Sequence, residues 1–320
     1  MKAITRNKYG SSDVLSIKEI PKPIPKTNEI LVRVHSTTVN RTDCGILTGK
    51  PWLIRAFTGL LKPSFSIPGT DFAGQVEAIG SEVSNFEVGD RVWGFNDAGL
   101  ASHAEYLVIQ HNQAIEKIPD HFSYNEAVAC AEGAHYALNF INKVSLSSTD
   151  KVLVNGATGA IGSAALQLLK SMGIFVTAVG NTKNLELLKT LGADKVYNYE
   201  TEDFTQLDKE KYDFIFDAAG RSSFGKCRML LQPKGIYISS ELGPGAENLY
   251  LPLITKIKGG QRVIFPIPKD CPKSVSHLTA LMERKEFQAV IDRRYTPEEI
   301  ADAYAYVQSG QKTGNVIINF

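Results

Sequence analysis

The sequence predicts an α/β chain in two parts, a β-rich and mostly antiparallel unit and a parallel sheet covered on both faces by helices. Three observations predict it. Runs of β-branched residues broken by glycine and proline fill the first third. Short apolar strands then alternate with helical periods from residue 122 into the 260s. A glycine-rich turn joins the first strand of that series to a helix.

The elements follow in order. Residues 30–39 (ILVRVHSTTV) alternate as a half-buried strand does, and 72–79, 91–95 and 104–109 repeat the theme. Pro21, Pro23 and Pro25 forbid an early helix. Residues 124–143 are helical in period, with Ser123 as N-cap and Glu126 closing a capping box. Strands are expected at 151–155, 175–179, 195–197, 214–217 and 235–239, with helices at 161–172 and 184–191 between them. The apolar segment 263–267 suits a sheet edge, because Pro266 cannot donate to a ladder on both sides. A helix over 297–309 and a strand over 315–320 resemble the first third, so the tail is expected to return to it.

Composition bounds the function. At 320 residues the chain is long enough for two domains, and 43% hydrophobic residues supply ample core. Thirty-five Lys and Arg against 34 Asp and Glu leave a net charge of +1, which argues against a nucleic-acid partner. No stretch approaches a membrane span, and the start MKAITRNKYG lacks an apolar targeting core. Cys44, Cys130, Cys227 and Cys271 form no CxxC pair and suit a reducing compartment, so a cytoplasmic enzyme is expected.

The glycine-rich turn carries the chemistry. In Gly156-Ala157-Thr158-Gly159-Ala160-Ile161-Gly162 the glycines permit a tight turn, close approach of backbone to a pyrophosphate, and close packing of helix on strand. The helix start then offers N–H groups and partial positive charge to phosphate. NAD sites usually place Asp or Glu at the end of the next strand to hold the ribose 2′-hydroxyl. Here no acidic residue lies between Asp150 and Glu186, and the strand runs into Asn181, Thr182 and Lys183. That segment favours NADPH, although Lys183 read alone is equally a solvated lysine at a helix start.

These residues, with Leu191-Gly192-Ala193-Asp194, the run PGTDFAG at 68–74, VGDRV at 88–92 and TGNVI at 313–317, resemble the medium-chain dehydrogenases/reductases. Within them the chain is most similar to the zinc-free quinone oxidoreductases, the zeta-crystallin-like branch. The resemblance implies a GroES-like catalytic domain over 1–122 and 268–320, a Rossmann domain over 123–267, and a cofactor cleft between them. It implies a homodimer, often joined through the Rossmann edge.

It also bears on metal. Zinc-dependent relatives carry Cys where this chain has Asn40, and His where it has Thr70; their third ligand falls near Cys130 or Glu132. Amide and hydroxyl are poor zinc ligands, so no metal is expected. Without a Lewis acid, an electron-poor quinone or α,β-unsaturated carbonyl is an easier partner than a simple alcohol. Hydride transfer from NADPH to such an acceptor is the implied activity. A coenzyme-binding sensor or structural protein with little turnover, and an alcohol dehydrogenase, are the alternatives.

Candidate catalytic residues are Asn40, Thr42, Thr70 and Tyr136. Tyr136 and the adjacent His135 are read equally well as ordinary helix residues. In the resembling branch a Lys after the second strand and a Tyr after the third contact the 2′-phosphate; they fall on Lys183 and Tyr199, with Lys312 the nearest candidate for a basic residue near the C terminus. Residues 49–63, with Trp52 and Phe57, read either as an apolar wall for the acceptor or as a small satellite core.

Overall fold

A computed structural model describes residues 1–320. Two units emerge, one built from Met1–Glu132 with Asp270–Phe320, the other from Gly133–Lys269.

In chain order the first unit opens with β1 (Lys2–Thr5) and β2 (Ser16–Glu19), an antiparallel pair. The long strand β3 (Glu29–Val39) leads into helix α1 (Arg41–Thr48) and the single-turn α2 (Arg55–Thr58). Strands β4 (Asp71–Ile79), β5 (Arg91–Phe95), β6 (Tyr106–Gln110) and β7 (Ile115–Lys117) follow, then α3 (Tyr124–Ala129). The capping box of α3 forms as the sequence predicts, Ser123 and Glu126 satisfying each other's backbone N–H.

Helix α4 (Glu132–Ile141) runs into the second unit, where β8 (Lys151–Asn155), α5 (Ala160–Ser171), β9 (Phe175–Gly180), α6 (Leu185–Thr190) and β10 (Lys195–Asn198) form its first half. Its second half holds the one-turn α7 (Phe204–Leu207), β11 (Tyr212–Asp217), the one-turn α8 (Phe224–Cys227), β12 (Leu231–Ser239), α9 (Glu247–Lys258) and β13 (Arg262–Ile264). The chain then returns to the first unit with α10 (Cys271–Glu283), β14 (Ile291–Tyr295), α11 (Ile300–Gln308) and β15 (Asn315–Asn319).

The second unit's sheet has the order β10-β9-β8-β11-β12-β13, every pair parallel. The order runs outward in both directions from β8 and β11. Right-handed crossovers therefore put the helices of the two halves on opposite faces, and the reversal lies at the carboxyl end of β8. Leu153, Val179, Tyr212, Ile215 and Tyr237 fill one core of this sheet.

The first unit's sheet reads β14-β15-β3-β4-β5-β7, with β6 also on β3. The tail does return: β15 lies antiparallel on β3, Ile318 opposite Thr37. One core, around Ile30, Val32, Phe72 and Val92, fills one side of the sheet. Another joins Ile4, Val39 and Leu47 to Tyr304 and Val316. The indole of Trp93 ties β5 to α10 through the Thr279 hydroxyl at 3.1 Å.

Three expectations change. The period over 124–143 is two helices, broken at Cys130, which caps α3. Helix α3 packs on β3, β4 and β15, so the unit boundary falls at Glu132 instead of near residue 122. The edge strand expected over 263–267 is β13, at Arg262–Ile264, and it ends before Pro266.

Candidate functional site

In the first unit a polar cluster forms where β3 turns into α1. Asn40 is the N-cap: its Oδ1 accepts from the Asp43 N–H at 2.8 Å, while the Asp43 carboxylate accepts from the Asn40 N–H at 3.1 Å. That leaves the side-chain amide of Asn40 to donate, and it reaches the Thr70 hydroxyl at 2.8 Å. Both residues are buried. The next residue, Asp71, accepts from the Thr38 N–H at 2.7 Å and from the Thr38 hydroxyl at 2.5 Å. Burial still raises its carboxyl to about 6, against the pull of those donors.

Thr42, in the first turn of α1, bonds the buried carboxyl of Glu132, which burial raises to about 7. The ammonium of Lys312 is the positive charge that opposes this shift, and it donates to the Gly314 carbonyl at 2.6 Å. Beneath the cluster, His103 donates from Nε2 to the Thr38 carbonyl at 2.9 Å and lies 3.4 Å from the Tyr304 hydroxyl through Nδ1. Burial lowers the imidazole to about 4, so it is neutral at physiological pH. Cys130 is also buried, donates to the Glu126 carbonyl at 3.3 Å, and has its thiol pushed up to about 12.

In the second unit the glycine turn sits at the sheet's reversal point. Gly156 has φ +77°, and a Cβ there would fall 2.6 Å from that of Ala219. Gly162 lies against the Gly156 carbonyl, where a Cβ would be only 2.2 Å from the oxygen. Gly159 caps α5 with ordinary φ −78°, and a Cβ there would meet only the Gly156 carbonyl, at 3.6 Å. The first-turn N–H groups of Ala160, Ile161 and Gly162 lack intrahelical acceptors, which fits this turn to a pyrophosphate. Ala157 is held by the Val179 carbonyl, and Thr158 is buried beside it.

At the end of β9, Thr182 and Lys183 are exposed and Asn181 half-buried; Tyr199, just past β10, is 45% exposed and donates its N–H to the Gly180 carbonyl. Tyr136 is half-buried on α4, edge-on to His135. Thus Asn40 pairs with Thr70, Thr42 joins Glu132 and Lys312 in the first unit, and Lys183 and Tyr199 belong to the second. Trp52, Phe57 and Leu61 are exposed, which removes the satellite-core reading of 49–63.

Three residues escaped sequence reasoning. Asp217, on β11, accepts from Asn155 at 2.9 Å and from the Tyr237 hydroxyl at 2.6 Å, locking the strand ends beneath the turn. Glu132 reads in sequence only as one of two places for a lost third metal ligand, with no part given to its carboxyl. Glu200 reaches back from beyond β10 to Thr182. None has a local signal, since each partner is distant in sequence.

Comparison with known proteins decides the family. The alcohol dehydrogenase GroES-like domain family matches residues 26–120, and the zinc-binding dehydrogenase family matches 191–318. A chloroplastic quinone-oxidoreductase homolog of Spinacia oleracea is 30% identical over 340 residues, covering 99% of this chain and 98% of its own. The chain is a medium-chain dehydrogenase/reductase. An NADPH-dependent alkenal/one oxidoreductase of Arabidopsis thaliana is 26% identical over 99% of this medium-chain dehydrogenase/reductase and 79% of its own length. The solved quinone oxidoreductase of Coxiella burnetii superposes with a TM-score of 0.87 at 25% identity, covering all of this chain and 99% of that one. The quinone oxidoreductase of Escherichia coli shares the fold, with a TM-score of 0.85 at 22% identity over the full length of both chains.

Proposed function

We propose that this chain is an NADPH-dependent, zinc-independent oxidoreductase that passes hydride to a quinone or α,β-unsaturated carbonyl. The observation that carries this reading is the Asn40–Thr70 pair, an amide donating to a hydroxyl where zinc-dependent relatives place metal ligands. Those atoms are engaged with each other and with the α1 cap, and the Cys130 thiol stays protonated. Such a donor set does not fit a catalytic zinc, which wants thiolate, imidazole or carboxylate. The names of the relatives support the acceptor class.

When bound, the reduced nicotinamide supplies the hydride. The turn from Gly156 to Gly162 binds the pyrophosphate through backbone N–H groups, and Thr182, Lys183 and Tyr199 face the adenosine end. Asn40 and Thr70, both buried, and the half-buried Thr42 hold hydrogen-bond donors in fixed geometry, the arrangement that stabilises an oxyanion as charge gathers on a conjugated acceptor. Glu132, raised to about 7, holds a proton at its carboxyl near neutral pH and passes it through the Thr42 hydroxyl. The Lys312 ammonium opposes the rise of that carboxyl, and the same residue is the basic group near the C terminus that the resemblance assigns to the phosphate. Tyr136 remains a candidate for stacking on a flat acceptor.

A cytoplasmic homodimer belongs to the same reading. Four unbridged cysteines support a reducing compartment, and the open edge at β13 beside the exposed Leu253 and Ile257 of α9 supports pairing of two copies. No helix is long and apolar enough to cross a membrane.

The test follows NADPH and NADH absorbance with chelator-treated protein and an ortho-quinone, an enone and an alkenal. Oxidation of NADPH in preference to NADH, unchanged by chelation, is expected. NADPH binding without turnover on any acceptor would replace this reading with a coenzyme sensor, and loss of activity on chelation would restore a metal.

A further inference from the structure

The end of β9 carries no acid in sequence, yet the fold brings one there. Strand β10 lies parallel to β9 with Asn198 opposite Gly180, so the two residues after Asn198 turn back over Asn181 and Thr182. Glu200 accepts from the Thr182 N–H at 3.0 Å and from the Thr182 hydroxyl at 2.6 Å, both on Oε2. The amide of Asn198 donates to the same hydroxyl oxygen at 2.9 Å, which commits the hydroxyl proton to the carboxylate. The Asn198 Oδ1 in turn accepts from the Glu200 N–H at 3.1 Å, so Glu200 is held at both ends.

These two bonds lower the carboxyl below its ordinary range, with no cation contributing. Glu200 is therefore a carboxylate held on Thr182, the residue before Lys183, and it directly follows Tyr199; Lys183 and Tyr199 are the residues expected to receive a 2′-phosphate.

We propose that Glu200 is a specificity-determining residue of the coenzyme site, occupying the Thr182 amide and hydroxyl and narrowing the preference for NADPH over NADH. The inference rests on the coenzyme reading given above. A 2′-phosphate brings a charge near −2 and must displace the carboxylate from both donors. A ribose 2′-hydroxyl carries no charge and donates to a carboxylate, the role that an acid at the end of the second strand plays in NAD sites. One carboxylate thus weakens the first ligand and favours the second. Its position past the third strand explains why the segment from 151 to 185 reads as purely NADPH-directed.

The experiment measures dissociation constants of NADPH and NADH by nicotinamide fluorescence, and of 2′,5′-ADP and 5′-ADP by calorimetry. The proteins are the wild type, Glu200→Gln, Glu200→Ala and Lys183→Ala. Gln keeps an acceptor for Thr182 and removes only the charge, so folding is preserved. Both Glu200 variants are expected to bind NADPH and 2′,5′-ADP about tenfold tighter, with NADH and 5′-ADP unchanged or weaker. An NADPH-to-NADH ratio within about twofold of wild type in both variants overturns the assignment. If Lys183→Ala still weakens NADPH selectively in that case, the coenzyme reading stands and Glu200 alone is dismissed. A wild type that binds neither coenzyme nor 2′,5′-ADP overturns both.

Discussion

The side-chain amide of Asn40 donates to the hydroxyl of Thr70 across 2.8 Å, and the same Asn40 caps α1 through its other side-chain atom. One residue thereby serves both the helix and the candidate site. Ser is as good an N-cap as Asn but has no amide, so Asn40→Ser separates the two roles. We expect kcat to fall by about 10- to 100-fold with little loss of stability. Asn40→Ala removes the cap as well and costs roughly 1 kcal/mol more in chemical denaturation. Equal activity in wild type and Asn40→Ser would remove Asn40 from the reaction.

Gly159 offers a clean test of the phosphate turn. Its φ is ordinary and a Cβ there makes only an ordinary van der Waals contact with the Gly156 carbonyl, so Gly159→Asp folds, and Asp at the N-cap favours α5. On the proposed coenzyme reading, the new carboxylate repels the pyrophosphate. NADPH binding should vanish while the melting temperature holds or rises. Gly162→Ala, by contrast, drives a methyl into the Gly156 carbonyl and should lower the melting temperature first.

Lys183→Ala should weaken NADPH by about tenfold and leave NADH unchanged, read as the ratio of the two dissociation constants. A parallel loss for both coenzymes would reduce Lys183 to a solvated surface residue.

Stability carries two opposing pH slopes. His103 is lowered from 6.5 to about 4, so the unfolded chain binds its proton first; the stability it contributes is full above pH 6.5 and is lost as pH falls toward 4. Glu132 is raised from 4.5 to about 7, so the folded chain keeps its proton longer; its penalty is absent below pH 4.5 and grows as pH rises through 7. Glu132→Gln should therefore melt progressively higher than wild type as pH climbs from 4.5 to 7.5. A constant difference in melting temperature across that window would contradict the raised carboxyl.

Local signals made the fold legible. The parallel series announced itself because each strand and helix is marked by its own period and by Gly156, Gly159 and Gly162 between them. The antiparallel unit was legible as strands, but α10 and β14 were not, since β14 (IDRRY) is half-exposed and has no apolar alternation. The break at Cys130 was hidden because helical periodicity continues across it. Of the candidate site, Asn40, Thr42 and Thr70 are proposed through the spacing of a resembling family, whereas Glu132 and Glu200 reach partners 90 and 18 residues away in sequence. A fold must be closed before such pairs exist.

Strand β15 sits between β14 and β3, in the interior of the first unit's sheet. The second unit, by contrast, is one uninterrupted stretch, Gly133–Lys269. During synthesis the second unit is thus the first to have all its strands, and the first waits with an unpaired stretch along β3 until β15 has left the ribosome. A ribosome stalled just short of β15 would display a finished parallel sheet tethered to an unfinished, mostly antiparallel one.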